Sequence, residues 1–278
     1  MITDRGVFLK LNISVSADDF LNDINEYPKE FTADSYAIVI NLVRKSQEYI
    51  SEIITPWGLC FTYNIAFSND LLDVNATSED FHYEYSNKMF GNFDFDAPPT
   101  DFPYKLSTSK AGLWVGFKYS FFTSYKFLEN DFDGYVVSFH NPYELPTKNS
   151  KIIKFNKQIQ TMILIDPSIS TTDESLMEYE PAERNCYLEK EKILKWFKVY
   201  TKNNCENECL TDFMYSHCGC VEFFMIRNSS TKICSANEQN CSKQAEEDFK
   251  KHKGFCECFE PCGHVNYGFE IVTAGFTE

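Results

Sequence analysis

Ten of the eleven cysteines lie between Cys186 and Cys262, and that density constrains this chain more than any other feature. Cysteines so crowded persist as disulfides in an oxidising compartment or as metal ligands in a reducing one. Structural zinc sites favour C-x2-4-C spacings, whereas the C-x-C units Cys218-Gly-Cys220 and Cys256-Glu-Cys258 strain tetrahedral chelation. Disulfides and an extracellular face are therefore expected. Ten cysteines permit roughly 945 pairings, but geometry prunes them. Asn203 with Glu206 reads as a capping box, which places Cys205 and Cys209 on one face of a helix running to about His217. Their sulfurs sit about 6 Å apart along the axis, and Cys256 and Cys258 on a strand sit about 6.6 Å apart on one face. The matching pitch predicts an antiparallel ladder, Cys205 to Cys258 and Cys209 to Cys256, with Cys186 and Cys262 closing the outside. The short loop then pairs most simply as Cys220–Cys234 nested inside Cys218–Cys241. Cys60 is left over, as a free thiol, an intermolecular bond, or half of a bond whose partner lies outside this chain.

The remaining composition is that of a folded globular protein, and the pattern along the chain reads as α+β. Lys and Arg number 26 against 41 Asp and Glu, a formal charge of −15, and the longest basic run is Lys250-Lys251. A phosphate backbone would be repelled, so nucleic acid is not an expected partner. Ser16 caps a short helix ended by Pro28, and Tyr36, Val39, Val43, Ile50 and Ile53 or Ile54 recur at helical spacing up to Pro56. Two helices are therefore expected before residue 56. Beyond Trp57 the character turns to strand: Cys60–Phe67, Gly112–Tyr119, Gly134–Phe139, Ile152–Phe155 and Met162–Ile165. Asn69–Asp101 is polar and acidic and reads as a surface connection. A last helix is expected over Ser242–Lys253, with Glu246, Glu247 and Asp248 toward its start and Gly254 as its stop.

No apolar run exceeds seven residues, and the first twenty residues contain no stretch of signal-peptide type. Disulfide-type cysteines without an export signal or a membrane span fit the outer portion of a membrane protein. The sequons at Asn12, Asn75, Asn228 and Asn240 agree with that placement as possible glycosylation sites. Catalysis finds no support: G-x-S-x-G, P-loop and G-x-G-x-x-G motifs are absent, and His82, His140, His217, His252 and His264 are scattered. No catalytic residue, metal site or cofactor is expected.

Arg184-Asn-Cys-Tyr187, Tyr200-Thr-Lys-Asn-Asn-Cys-Glu-Asn-Glu-Cys-Leu210, Cys218-Gly-Cys-Val-Glu-Phe-Phe-Met225 and Cys256-Glu-Cys-Phe-Glu-Pro-Cys262 form an ordered set of four segments. Together they resemble the degenerin/epithelial sodium channel (amiloride-sensitive sodium channel) family, most nearly its arthropod pickpocket branch. Upstream, Gly58-Leu-Cys-Phe-Thr-Tyr-Asn64 resembles the family's G-x-C-Y-T-F-N strand. Gly134-Tyr-Val-Val-Ser-Phe-His-Asn-Pro-Tyr-Glu-Leu-Pro146 resembles its G-F-x-V-x-I-H-x-P-x-E-x-P segment, in which His140 has a structural role. Ile226 and Phe259-Glu260 depart from the family's usual residues.

The resemblance implies a hand-like channel ectodomain. Residues 1–56 would contribute finger helices, 57–185 palm and β-ball strands, 186–262 a disulfide-laddered thumb, and 263–278 a returning palm strand. It implies a homo- or heterotrimer with two further subunits at the plasma membrane, conducting sodium and sensitive to amiloride. Both transmembrane helices would lie outside this chain, as would the partner of Cys60. Gating would be by a ligand or by mechanical input. Acid-sensing relatives use a carboxylate pocket between finger and thumb, so Glu246, Glu247 and Asp248 are candidates for an acidic gating face; a solvated, dipole-complementing helix face is the plainer reading. The alternative function is a soluble, pore-less binding or dominant-negative subunit.

Overall fold

In the computed structural model, residues 36–40, 44–45, 50–83, 113–117, 134–156, 159–251 and 253–275 are described. Mixed strands precede residue 170, and helices dominate from 202 to 251. The helix expected over 36–54 is a correction. That stretch holds β1 (Tyr36–Ile40), β2 (Arg44–Lys45) and β3 (Ile50–Thr55). The described residues between 36 and 55 thus form strands rather than finger helices, and the earlier helix, Ser16 to Pro28, lies outside the described residues. The reason is stereochemical. Ile38-Val39-Ile40 and Ile53-Ile54-Thr55 are β-branched runs, whose χ1 stiffness favours a pleated backbone, and a dense apolar segment satisfies helical spacing by chance.

β3 turns over Pro56-Trp57 into β4 (Gly58–Tyr63), and the register pairs Thr55 with Gly58 and Ile53 with Cys60. Gly58 takes φ 110° at the turn, a region L side chains rarely adopt. The Thr55 hydroxyl donates to the Gly58 carbonyl at 2.8 Å and accepts from the Trp57 amide. After β4, helix α1 (Ser68–Leu71) and a 3-10 turn (Glu79–Phe81) follow. This corrects the surface connection expected from residue 69. Leu71 and Leu72 are fully buried and Phe81 nearly so, and together with Ile65, Trp196, Phe197 and Ile226 they build the main core. Sparse apolar residues set among acids carried the burial there.

β5 (Leu113–Phe117) pairs with β1, and β6 (Gly134–Ser138) with β7 (Ile152–Asn156), both antiparallel. β8 (Ile159–Ser170) pairs along its whole length with β11 (His264–Gly275), from His264 opposite Ser170 to Gly275 opposite Ile159. Between these strands lie helix α2 (Pro181–Arg184), β9 (Cys186–Tyr187), α3 (Lys202–Cys218), α4 (Gln239–Lys251) and β10 (Glu260–Pro261). β9 and β10 pair in parallel.

Candidate functional site: a cross-linked helix and its base

α3 begins two residues earlier than the sequence suggests. Thr201 is the N-cap, its hydroxyl accepting from the Asn204 amide, and the Asn203–Glu206 capping box does not form. The helix ends at Cys218 with Gly219 in the left-handed conformation. Cys205 and Cys209 therefore sit one turn apart, bonded to Cys258 and Cys256 with Cα separations of 5.7 and 6.0 Å. The facing segment is not the expected strand. Cys256 ends a 3-10 turn (Lys253–Cys256), Glu257 takes φ 48°, and strand geometry starts only at Glu260. Cys186 is bonded to Cys262, Cys218 to Cys241 and Cys220 to Cys234. These sulfurs are consumed by one another, so none is a thiolate ligand. Taken singly, loops of 14 to 76 residues correspond to about 3–4.5 kcal/mol of chain-entropy stabilisation per bridge.

The base of α3 is tied to the strand region by polar side chains that spacing did not reveal. The buried Glu208 carboxylate accepts the backbone amides of Lys195, Trp196 and Phe197 at 2.9, 2.6 and 3.2 Å, pinning that loop to the helix. Asn204 is fully buried and donates to the carbonyls of Tyr143 and Val199. Asn203 donates to the Leu145 carbonyl and accepts from Thr147. The 139–147 turn they grip is fastened to β4 in turn, because Thr62 and His140 Nε2 lie 2.9 Å apart and the Ala66 amide donates to the Pro142 carbonyl. His140 Nδ1 faces the Asn141 carbonyl at 2.9 Å. A carbonyl only accepts, so Nδ1 carries the proton and Nε2 accepts from Thr62. Burial pushes the His140 pKa down, outweighing its backbone hydrogen bonds, and holds the ring neutral. Burial likewise raises Glu144, whose carboxyl meets the Thr201 cap.

On the other side of the ladder, the Tyr187 and Tyr200 hydroxyls donate to the carbonyls of Glu257 and Phe259, and the two rings meet edge to face at 5.2 Å. The Cys262 amide donates to the Tyr187 carbonyl, and β11 starts two residues later. Desolvation raises the Tyr200 pKa well above the ordinary phenol range, so these hydroxyls remain donors.

The acidic triplet does not stand at a helix start. α4 begins at Gln239, behind a capping box between Ser235 and Glu238, so Glu246, Glu247 and Asp248 fall in mid-helix. They also point to different partners. Glu246 meets Lys148 of the 139–150 turn at 2.5 Å and Lys250 at 3.2 Å, Asp248 pairs with Lys251, and Glu247 is exposed. Burial raises the Glu246 pKa, but the hydrogen bonds and charges of Lys148 and Lys250 outweigh it and hold the carboxyl below its ordinary range.

The histidines are dispersed: His82 against Thr77, His217 stacked on Phe213, His264 against the Pro261 carbonyl, and His252 outside the described residues. Among the described residues no group of three His, Cys, Asp or Glu is placed to hold a metal, and no helix is long and apolar enough to cross a membrane. Cys60 is a free thiol on β4, 3.2 Å from the Thr55 hydroxyl, and its burial raises its pKa. Asn75 and Asn240 are exposed, Asn228 is half-buried, and Asn12 lies outside the described residues.

Residues 12–278 match a family model described as amiloride-sensitive sodium channel. Pickpocket protein 28 of Drosophila melanogaster is 22% identical over 239 residues, 81% of this chain and 39% of its own length. Pickpocket protein 11 of the same fly is 25% identical over 139 residues, covering 49% of this chain and 27% of its own. Its sodium channel protein Nach is 26% identical over 126 residues, 44% of this chain and 23% of its own. The chain thus spans well under half the length of these relatives.

Proposed function

The chain belongs to the amiloride-sensitive sodium channel family, and from that premise we propose that it forms the extracellular part of a plasma-membrane sodium channel subunit. Sodium is the cargo, no resident cofactor is needed, and no covalent chemistry is performed. Two further subunits, like or unlike, complete the channel, and the membrane helices belong to residues outside this chain. In this reading 186–262 is the thumb and 263–278 the returning palm strand.

One observation carries the mechanism. Two rungs fix α3 to the 256–258 segment, a third joins Cys186 to Cys262 at a Cα separation of 4.9 Å, and β11 follows at His264. A helix held this way cannot slide against the segment it leans on. A ligand or mechanical load that tilts α3 therefore moves β10 and the start of β11 with it. β11 is paired to β8 through twelve residues, long enough to carry displacement toward a gate.

The test is to express the complete subunit, alone and with fly relatives, and record sodium current while reading bilayer association by alkaline extraction. An amiloride-blockable sodium current is expected, with the Cys186→Ala/Cys262→Ala pair reaching the surface but responding weakly to stimulus. A complete protein released to the medium, conducting nothing in any combination, would overturn the reading in favour of a pore-less subunit.

A further inference from the structure

We propose that Asn75 carries an N-linked oligosaccharide, and that this sequon is the one the fold is built to accommodate. The inference rests on the extracellular reading above. Asn75-Ala76-Thr77 closes a tight turn: the Asp73 carbonyl accepts from the Ala76 amide, the Thr77 amide and the Thr77 hydroxyl, each at 3.0 Å, and the Asp73 carboxylate accepts from the Asn75 amide at 3.1 Å. The Asn75 side chain makes none of these bonds. It is exposed, and among the described residues its carboxamide has no hydrogen-bond partner. Thr77, by contrast, is 6% exposed and its hydroxyl also meets His82 Nε2 at 3.0 Å. The acceptor nitrogen is thus open in the folded chain, while the hydroxyl that the transfer enzyme reads is sealed. Transfer precedes closure of the turn, and the finished turn holds the sugar outward without displacing any internal bond.

The other described sequons are placed differently. In Asn240-Cys-Ser, Cys241 is bonded to Cys218, and Ser242 is 1% exposed and donates to the Glu222 carboxylate at 2.6 Å. Oxidation of the central cysteine competes with transfer at that site. The Asn228 carboxamide oxygen already accepts from the Ser230 amide and from the hydroxyls of Ser230 and Thr231. Asn75 alone combines an exposed, unengaged carboxamide with a sequon threonine. In the transfer, Asn75 Nδ2 attacks the anomeric carbon of a lipid-diphosphate-linked oligosaccharide. A C–N bond forms, the C–O bond to the diphosphate breaks, Nδ2 loses one proton, and the lipid diphosphate leaves.

The complete subunit is expressed in insect cells and treated with peptide-N-glycosidase in heavy-oxygen water, and its peptides are read by mass spectrometry beside a non-reducing disulfide map. Heavy-oxygen aspartate at position 75 is expected, with Asn75→Gln migrating one glycan step faster on a gel while all five bridges persist. The wild-type labelling does not depend on how that variant folds. An unlabelled Asn75 in a protein with oxidised bridges overturns the site and leaves the extracellular reading standing. Reduced cysteines together with no label at any sequon overturn both, and label at Asn240 without label at Asn75 overturns the assignment.

Discussion

Arg227 and Asp80, 147 positions apart, form an ion pair across the main core, with the Arg227 side chain only 2% exposed. The guanidinium also donates to the Phe223 carbonyl and lies over the Phe81 ring. Burial depresses its pKa and the Asp80 charge restores part of that loss. This contact holds the 3-10 turn after α1 against the segment that links α3 to α4.

Removing Asp80 leaves a buried cation without its counter-charge. Asp80→Ala is expected to destabilise the oxidised domain by about 3 kcal/mol, the lower end for a broken buried pair, because Asp80 keeps some contact with water. Asp248→Ala removes exposed contacts, among them those with Lys251 and Gln244, and is expected to shift stability by less than about 1 kcal/mol. Urea unfolding of both variants under non-reducing conditions checks the contrast, and equal losses would remove the argument from burial.

The two inner rungs are redundant in part. A 47-residue loop closed alone corresponds to about 4 kcal/mol. With Cys205–Cys258 in place, however, Cys209–Cys256 closes only the few residues between the rungs. The Cys209→Ser/Cys256→Ser pair is therefore expected to lose about 2–3 kcal/mol, and the single Cys209→Ser more than the pair, through mispairing of the freed Cys256. Denaturant midpoints and a non-reducing peptide map measure both.

Some of this was legible in the sequence because it depends on local periodicity. Cys205 and Cys209 four residues apart stand one above the other on one face of a helix, and α3 provides it. The strands around Gly134–Ser138 and Ile152–Asn156 likewise follow from β-branched and aromatic runs bounded by turns. Where two periods fit the same residues, local pattern failed. Ile50 to Thr55 satisfied helical spacing, and the pairing that made it a strand comes from β4 across a Pro-Trp turn. Glu208 left no signature at all, since its partners are backbone amides whose positions depend on the folded loop. Asn203 and Asn204 show the same limit: capping residues by type, they are spent on the carbonyls of a turn some sixty residues upstream.

Glu246 gives the α4 contact an acid limit. Its folded pKa lies below the ordinary value of 4.5, so the stability it contributes is complete above that value and is lost as pH falls through the folded one. Stability at neutral pH should drop in Lys148→Ala and Glu246→Gln, and both should lose part of the wild-type slope below pH 4.5. A denaturation series from pH 6 to 3 tests this, and an unchanged slope in both variants would detach α4 from the 139–150 turn.

His140 acts in a different window with the same sign. Its folded pKa is depressed by burial, so the unfolded chain binds more protons once pH falls below the ordinary value of 6.5. The stability held by the neutral ring is whole above 6.5 and is withdrawn as pH falls toward the folded value. Thr62→Val removes the donor to Nε2 and leaves that nitrogen buried and unpaired, for an expected loss of about 1–3 kcal/mol at pH 8. His140→Gln removes the titrating ring, so the loss of stability expected of the wild type as pH falls below 6.5 should flatten, while the Glu246-dependent loss below pH 4.5 persists. Denaturant midpoints across both windows separate the two groups. If His140→Gln left the upper window unchanged, the ring would already be protonated in the fold and its hydrogen bond to Thr62 would have to run the other way.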